Sequence, residues 1–211
     1  MIKAILFNDD EIKQINKKLA SKGFNSTSWG DSDIFNIKDK IKNHYLSEQK
    51  TICPYCLRDL QTTHGRYWDI EHIIPRSLQD NFMFEPKNLC MACVDCNTAK
   101  SAKKITTSTA KKKYPIKSNL FLIIHPHLDV YEENLQPIKP GFFYIPKTEK
   151  GVKTIEICNL NRFYKFSGFG TDDSIDEKIF LLAAALKQTT NQNVKKQLKL
   201  ELIELAIKGS V

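Results

Sequence analysis

Apolar positions near the start of the chain recur at helical spacing. Ile12, Ile15 and Leu19 share one face behind Asn8, Asp9 or Asp10, each able to cap a helix, and Gly23 ends the run. Residues 1–7 before it read as a short strand or extended piece. A polar stretch over 25–32 reads as a loop, and Ile34, Ile37, Ile41 and Tyr45 or Leu46 predict a second helix over about 34–49. The period then changes. Bulky alternating residues over 67–72 predict a strand that Pro75 stops. Asp80, Asn81 and Pro86 mark an irregular crossing to a second strand near Leu89, and a helix is expected from about Asn97. Further along, 120–124, 141–145 and 152–157 read as short strands, with a turn at Lys150 and Gly151. Two helices, 172–188 and 192–208, close the chain. Ile175, Ile179, Leu182 and Leu186 make the stripe of the first. The second carries a broad apolar face of Leu198, Leu200, Leu202, Ile203, Leu205 and Ile207, wide enough to dock a partner as well as fill a core.

The order is that of an α+β protein with a central ββα unit. At 211 residues the chain is long enough for one sizeable core, and its 41% hydrophobic content sets aside wholesale disorder. No apolar run approaches the roughly 20 residues of a membrane helix, so no membrane partner is expected. The net charge of +8 points to a polyanionic partner, and its distribution sharpens the point: seven lysines and no acid lie between Asn97 and Lys117. The plainer reading of that run is a solvated face. No secretion signal is apparent at the start, and with six cysteines that favours metal over disulfides and a reducing, cytoplasmic location.

The candidate chemistry is concentrated between Cys53 and Lys100. Cys53 and Cys56 form one Cys-x-x-Cys knuckle, Cys93 and Cys96 a second, and four thiolates so spaced suit a closed tetrahedral zinc site. Cys90 has the same spacing to Cys93 and leaves a rival pairing open. Between the knuckles Glu71 adjoins His72, and Asn97 and Lys100 follow the second knuckle. An imidazole beside oxygen ligands is what metal-assisted phosphodiester hydrolysis requires. His44 and His64 read as surface or packing residues. His125, His127 and Asp129 form a cluster that could take a metal, although a turn with polar contacts is the simpler reading.

Cys53-Pro-Tyr-Cys56, Asp69-Ile-Glu-His-Ile-Ile-Pro-Arg76 and Asn88 through Lys100 together resemble the HNH, or ββα-metal, endonucleases braced by a four-cysteine zinc site. The resemblance implies a nuclease core over 51–117, an N-terminal helical extension over 1–50 and an accessory region over 118–211. It implies His72 as general base, Asn88 as the tie holding the base's loop, and Glu71 with Asn97 as ligands of one catalytic Mg2+ or Mn2+. Relatives more often carry aspartate before the histidine, so Asp69, one strand period away, is a second candidate carboxylate. Cys93 and Cys96 are favoured over Cys90 because in the family the last knuckle runs straight into the asparagine. Arg76, Lys100, Lys103 and Lys104 are the expected nucleic-acid contacts. DNA is the expected substrate, with RNA as the alternative. The chain is also loosely similar to Septu-type effector nucleases of anti-phage systems, which implies an ATPase partner. The rival readings are a zinc-ribbon binding module without catalysis and a nuclease subunit active only within a larger complex.

Overall fold

The computed structural model describes residues 1–163 and 175–208. Helix α1 (Asp9–Leu19) starts at Asn8, whose side chain accepts from the Glu11 amide while the Glu11 carboxylate accepts from the Asn8 amide, a reciprocal capping box. Ile15 is its buried residue, whereas Ile12 is left exposed. The expected loop over 25–32 is instead a 3-10 turn, Ser26–Gly30, capped by Asn25, with a second turn Ser32–Ile34 leading into α2 (Phe35–Glu48). Helix α2 buries Ile37, Ile41, Tyr45 and Leu46, the face its spacing predicts.

Strands β1 (Trp68–His72) and β2 (Leu89–Cys93) pair antiparallel, with Glu71 opposite Cys90 and His72 opposite Leu89. Helix α3 (Val94–Lys100) follows β2 without a break. It therefore starts three residues before the expected Asn97. Cys93 is the extended N-cap, and the helix ends where Ser101 takes a positive φ of 47°. The ββα order is as expected.

Two accessory segments differ from expectation. Residues 120–124 make no strand: Leu120 closes a 3-10 turn (Ser118–Leu120), a single bridge joins Phe121 to Thr106, and the Ile124 amide donates to Thr154 Oγ1. Residues 152–157 lie in helix α5 (Glu149–Cys158), capped by Thr148, and the expected turn at Lys150 and Gly151 is its first turn. The β-branched Val152, Thr154, Ile155 and Ile157 mimic a strand, but the buried face is Gly151, Thr154 and Cys158, at helical spacing. Gly151 is required there, since a Cβ would meet the Asn134 carbonyl oxygen at 2.1 Å. The one-turn helix α4 (Tyr131–Asn134) leads into β3 (Leu135–Lys139), which pairs antiparallel with β4 (Phe143–Pro146). Pattern reading found β4 and missed β3.

Helices α6 (Ile175–Gln188) and α7 (Gln192–Lys208) pack on each other and, through Leu182, Ala185, Val194 and Leu198, bury Ile145 of β4. Residues 172–174 of the expected first helix lie outside the described residues. Leu200 and Ile203 of α7 are exposed, so the broad face splits into a packed half and a solvent half. The main core runs from Ile5 through α2, both knuckles and β2 to Leu160, joining all three expected regions. No described helix is long and apolar enough to cross a membrane.

Side chains from three regions close the outer edge of β2. The Gln49 carboxamide, just past α2, donates to the Met91 carbonyl at 2.7 Å and accepts from the Met91 amide at 2.8 Å, imitating a neighbouring strand. His127 Nε2 donates to the Leu89 carbonyl at 2.7 Å, and the Cys93 amide donates to Cys53 Sγ at 3.4 Å.

Candidate active site

The two knuckles converge. The sulfurs of Cys53, Cys56, Cys93 and Cys96 all lie within 4.8 Å of one another, and all four residues are buried. Tetrahedral Zn–S bonds of about 2.3 Å place sulfurs about 3.8 Å apart. The Cys56–Cys93 separation is 3.8 Å, so the cluster fits such a metal. Hydrogen bonds among the thiols push Cys93 and Cys56 below the ordinary thiol range, whereas burial pushes Cys53 up and its thiol neighbours push Cys96 up, so the four sulfurs share protons unevenly and a bound cation is what would let all four ionise. Arg162, from the accessory region, directs Nη1 at Cys96 Sγ at 3.7 Å, and Arg58 and Arg162 both pair with Asp95. These cations offset charge that four thiolates leave around one dication. Cys90 lies outside the cluster, buried on β2, and Cys158 is a buried thiol on α5.

Next to the cluster, β1 and α3 line an open cleft of about 650 Å³ that includes Asp69, Glu71, His72, Arg76 and Asn97. Asp69 and Asn97 meet across it, with Asn97 Nδ2 donating to Asp69 Oδ2 at 2.7 Å. Both are half-buried, and their oxygens are the hard donors a small divalent cation takes. Glu71 is set deeper. Only 3% exposed, it pairs at 2.6 Å with Lys100, itself 1% exposed, and accepts from the Tyr55 hydroxyl at 3.2 Å. Burial pushes the Glu71 carboxyl upward while the Lys100 ammonium pulls it back.

Lys100 therefore differs from its expected role. Its ammonium is spent on Glu71 and the His72 carbonyl, 3.0 Å away, and reaches no surface where a phosphate could lie. Lys103 and Lys104 are exposed but do not line the cleft, and Lys103 donates to the Ile157 carbonyl. Arg76 does line it.

His72 is nearly buried. Its Nε2 lies 3.1 Å from the Met83 carbonyl, which can only accept, so Nε2 carries the proton and Nδ1 keeps a lone pair. Burial first, then the Arg76 charge, bring its pKa down to about 3, so the imidazole is neutral. Trp29 packs edge-on against the ring, centroids 4.6 Å apart. Asn88 is wholly buried and ties the loop after His72: its Oδ1 accepts from the Ile74 amide at 2.7 Å, and its Nδ2 donates to the Ile74 and Phe82 carbonyls. It holds backbone and does not line the cleft.

These features, a zinc-competent cluster under a hairpin and helix that present a neutral imidazole beside hard oxygens, agree with one finding. Residues 53–103 match the family model of HNH endonucleases. No curated protein matches the chain. The HNH match supports a nuclease function, hence a hydrolase acting on nucleic acid. It covers the knuckles, both strands and α3, and stops short of the flanking regions.

The other histidines take structural places. His125 is buried, with Nε2 at the Tyr114 hydroxyl, Asp129 pairs with Lys150, and His127 sits between the Ile2 and Leu89 carbonyls, so this group is the polar turn of the simpler reading. His44 faces the Lys3 carbonyl, and His64 is exposed in its loop. Sequence reasoning missed Trp29, Lys38 and Lys42, which line the cleft from outside the matched segment. A tryptophan in an otherwise polar stretch, with Asn25 and Ser28 at capping spacing, was the available signal.

Proposed function

We propose that the chain is a metal-dependent endonuclease that hydrolyses phosphodiester bonds in DNA, with His72 as general base. The observation that carries this reading is the contact of His72 Nε2 with the Met83 carbonyl. Nε2 is committed to the Met83 carbonyl, which leaves Nδ1 of a neutral ring to take a proton from water at the cleft. Asp69 and Asn97, with Glu71 set behind them in its pair with Lys100, would hold a divalent cation such as Mg2+ or Mn2+, which when bound supplies neutralisation of charge at the phosphate. Cys53, Cys56, Cys93 and Cys96 would hold a structural Zn2+ that fixes β2 and the start of α3. Asn88 keeps the loop after the base in place, Trp29 limits rotation of the ring, and Arg76 is the phosphate contact contributed by the matched segment. Within the same proposal, the chain is an effector nuclease that accompanies an ATPase in a bacterial anti-phage system. The extent of chain outside the matched segment supports this, and recovery of an ATPase with the protein purified from its native host is the corresponding test.

Supercoiled plasmid is incubated with Mg2+ or Mn2+ and either the parent or His72→Ala, with zinc measured on the same samples. The parent is expected to nick, and the variant to lose a factor of about 10²–10⁴ while retaining zinc. Equal cleavage by both proteins would remove His72 from the chemistry. A zinc-loaded parent that binds DNA and never cuts would favour a binding module.

A further inference from the structure

The cations that line the cleft are Lys38, Lys42 and Arg76. Two of these three come from α2, outside the matched segment, and Lys100 is occupied by Glu71. Lys38 and Lys42 are four residues apart, so they lie on one helical face about 6 Å apart along the axis. Each is half-buried, and Lys38 is held in place. Lys38 Nζ donates to the Trp29 carbonyl at 3.1 Å and lies 5.5 Å from the Trp29 ring centroid and 4.9 Å from that of Phe35. Lys42 Nζ reaches across to Gly65, 3.5 Å from where a Cβ would stand. Two ammonium groups along one helical face match the repeat of a polynucleotide backbone better than a single phosphate.

Resting on the nuclease reading, we propose that Lys38 and Lys42 form a phosphate-binding wall opposite Arg76, so that the substrate strand is gripped between the N-terminal extension and the catalytic hairpin. Asp39 stands on the same rim and, with Asp69 and Glu71, leaves the unliganded cleft with three carboxylates against three cations. In this arrangement the extension is part of the substrate site, and the matched segment supplies chemistry with little hold of its own.

The test is fluorescence anisotropy with a labelled 20-base-pair DNA duplex between 50 and 200 mM salt, in a His72→Ala background so that nothing is cut. Lys38→Gln/Lys42→Gln is compared with Lys13→Gln/Lys17→Gln, an equal charge loss on α1 outside the cleft. The cleft pair is expected to weaken binding at least tenfold at 100 mM salt. It should also reduce the slope of log K against log salt by about 1.8, or 0.9 per phosphate contact. Lys42→Gln alone, which leaves the Lys38 bond to Trp29 in place, should reduce the slope by about 0.9. If both cleft variants match the α1 control in affinity and slope, the wall is disproved. Plasmid nicking by the parent is scored in parallel. A parent that cuts while the slopes stay equal sinks the wall and keeps the nuclease. A parent that never cuts while the cleft variants lose slope keeps the wall and sinks the nuclease.

Discussion

Replacing Lys100 by Met should destabilise the protein far more than an ordinary lysine substitution. The Lys100 and Glu71 side chains are 1% and 3% exposed and 2.6 Å apart, and the carboxylate's remaining partner of record is the Tyr55 hydroxyl at 3.2 Å. Removing the ammonium strands a buried carboxylate, which costs about 3–5 kcal/mol. For a protein of this length each kcal/mol lowers the melting temperature by about 2–4 °C, so the expected drop is roughly 6–20 °C. Glu71→Gln should be costly as well, because it strands the ammonium. The double variant Glu71→Gln/Lys100→Met leaves no buried charge at the site and should recover at least half of the loss, a coupling of at least about 1.5 kcal/mol. Urea and thermal unfolding followed by circular dichroism, with zinc content checked in each variant, measure all four corners of the cycle. A Lys100→Met variant within about 1 kcal/mol of the parent, or a double variant as unstable as the sum of the singles, would refute the reasoning.

Three further outcomes are expected. Cys93→Ser should lose bound zinc, whereas Cys90→Ser, outside the cluster, should keep about one zinc per chain by atomic absorption; the reverse pattern would reassign the second knuckle. Asn88→Ala leaves the Ile74 amide and the Ile74 and Phe82 carbonyls without their buried partner, and should cost about 2–3 kcal/mol in urea unfolding while sparing zinc. His125, buried beside Tyr114, has its pKa brought down to about 2 by burial, against an unfolded value of about 6.5. The folded ring thus takes a proton less readily than the unfolded one. Its contribution to stability is complete above about pH 6.5 and falls by up to about 1.4 kcal/mol per unit as the pH drops toward 2. Nitrogen NMR of the folded protein should show a neutral His125 ring at pH 5, and a midpoint above pH 5 would contradict this burial argument.

The knuckles and the β1–β2 hairpin were legible because their signals are local. A Cys-x-x-Cys spacing and a run of alternating bulky residues need no knowledge of distant chain. The start of α3 was misplaced because Val94, Asp95 and Cys96 are weak helix formers, and the extended N-cap at Cys93 decides where the helix begins. Helix α5 was read as a strand because its buried face consists of Gly151, Thr154 and Cys158, while the conspicuous Val152 is left exposed. Lys100 illustrates the harder limit. Spacing puts it beside the asparagine, but its burial follows from Glu71 on β1, 29 positions earlier, and only the packed fold brings the two together. The same holds for Trp29, Lys38 and Lys42, whose approach to His72 depends on how α2 lies against the hairpin.

The side chains that close the outer edge of β2 bear on whether the matched segment can be transplanted. Gln49, His127 and Cys53 stand where a third strand would otherwise add, and two of them lie outside residues 53–103. An excised segment would offer an open, apolar strand edge, the usual template for intermolecular pairing. Grafting this segment onto another scaffold would therefore require a substitute for each lost cap, and in this fold the flanks are a guard against self-association.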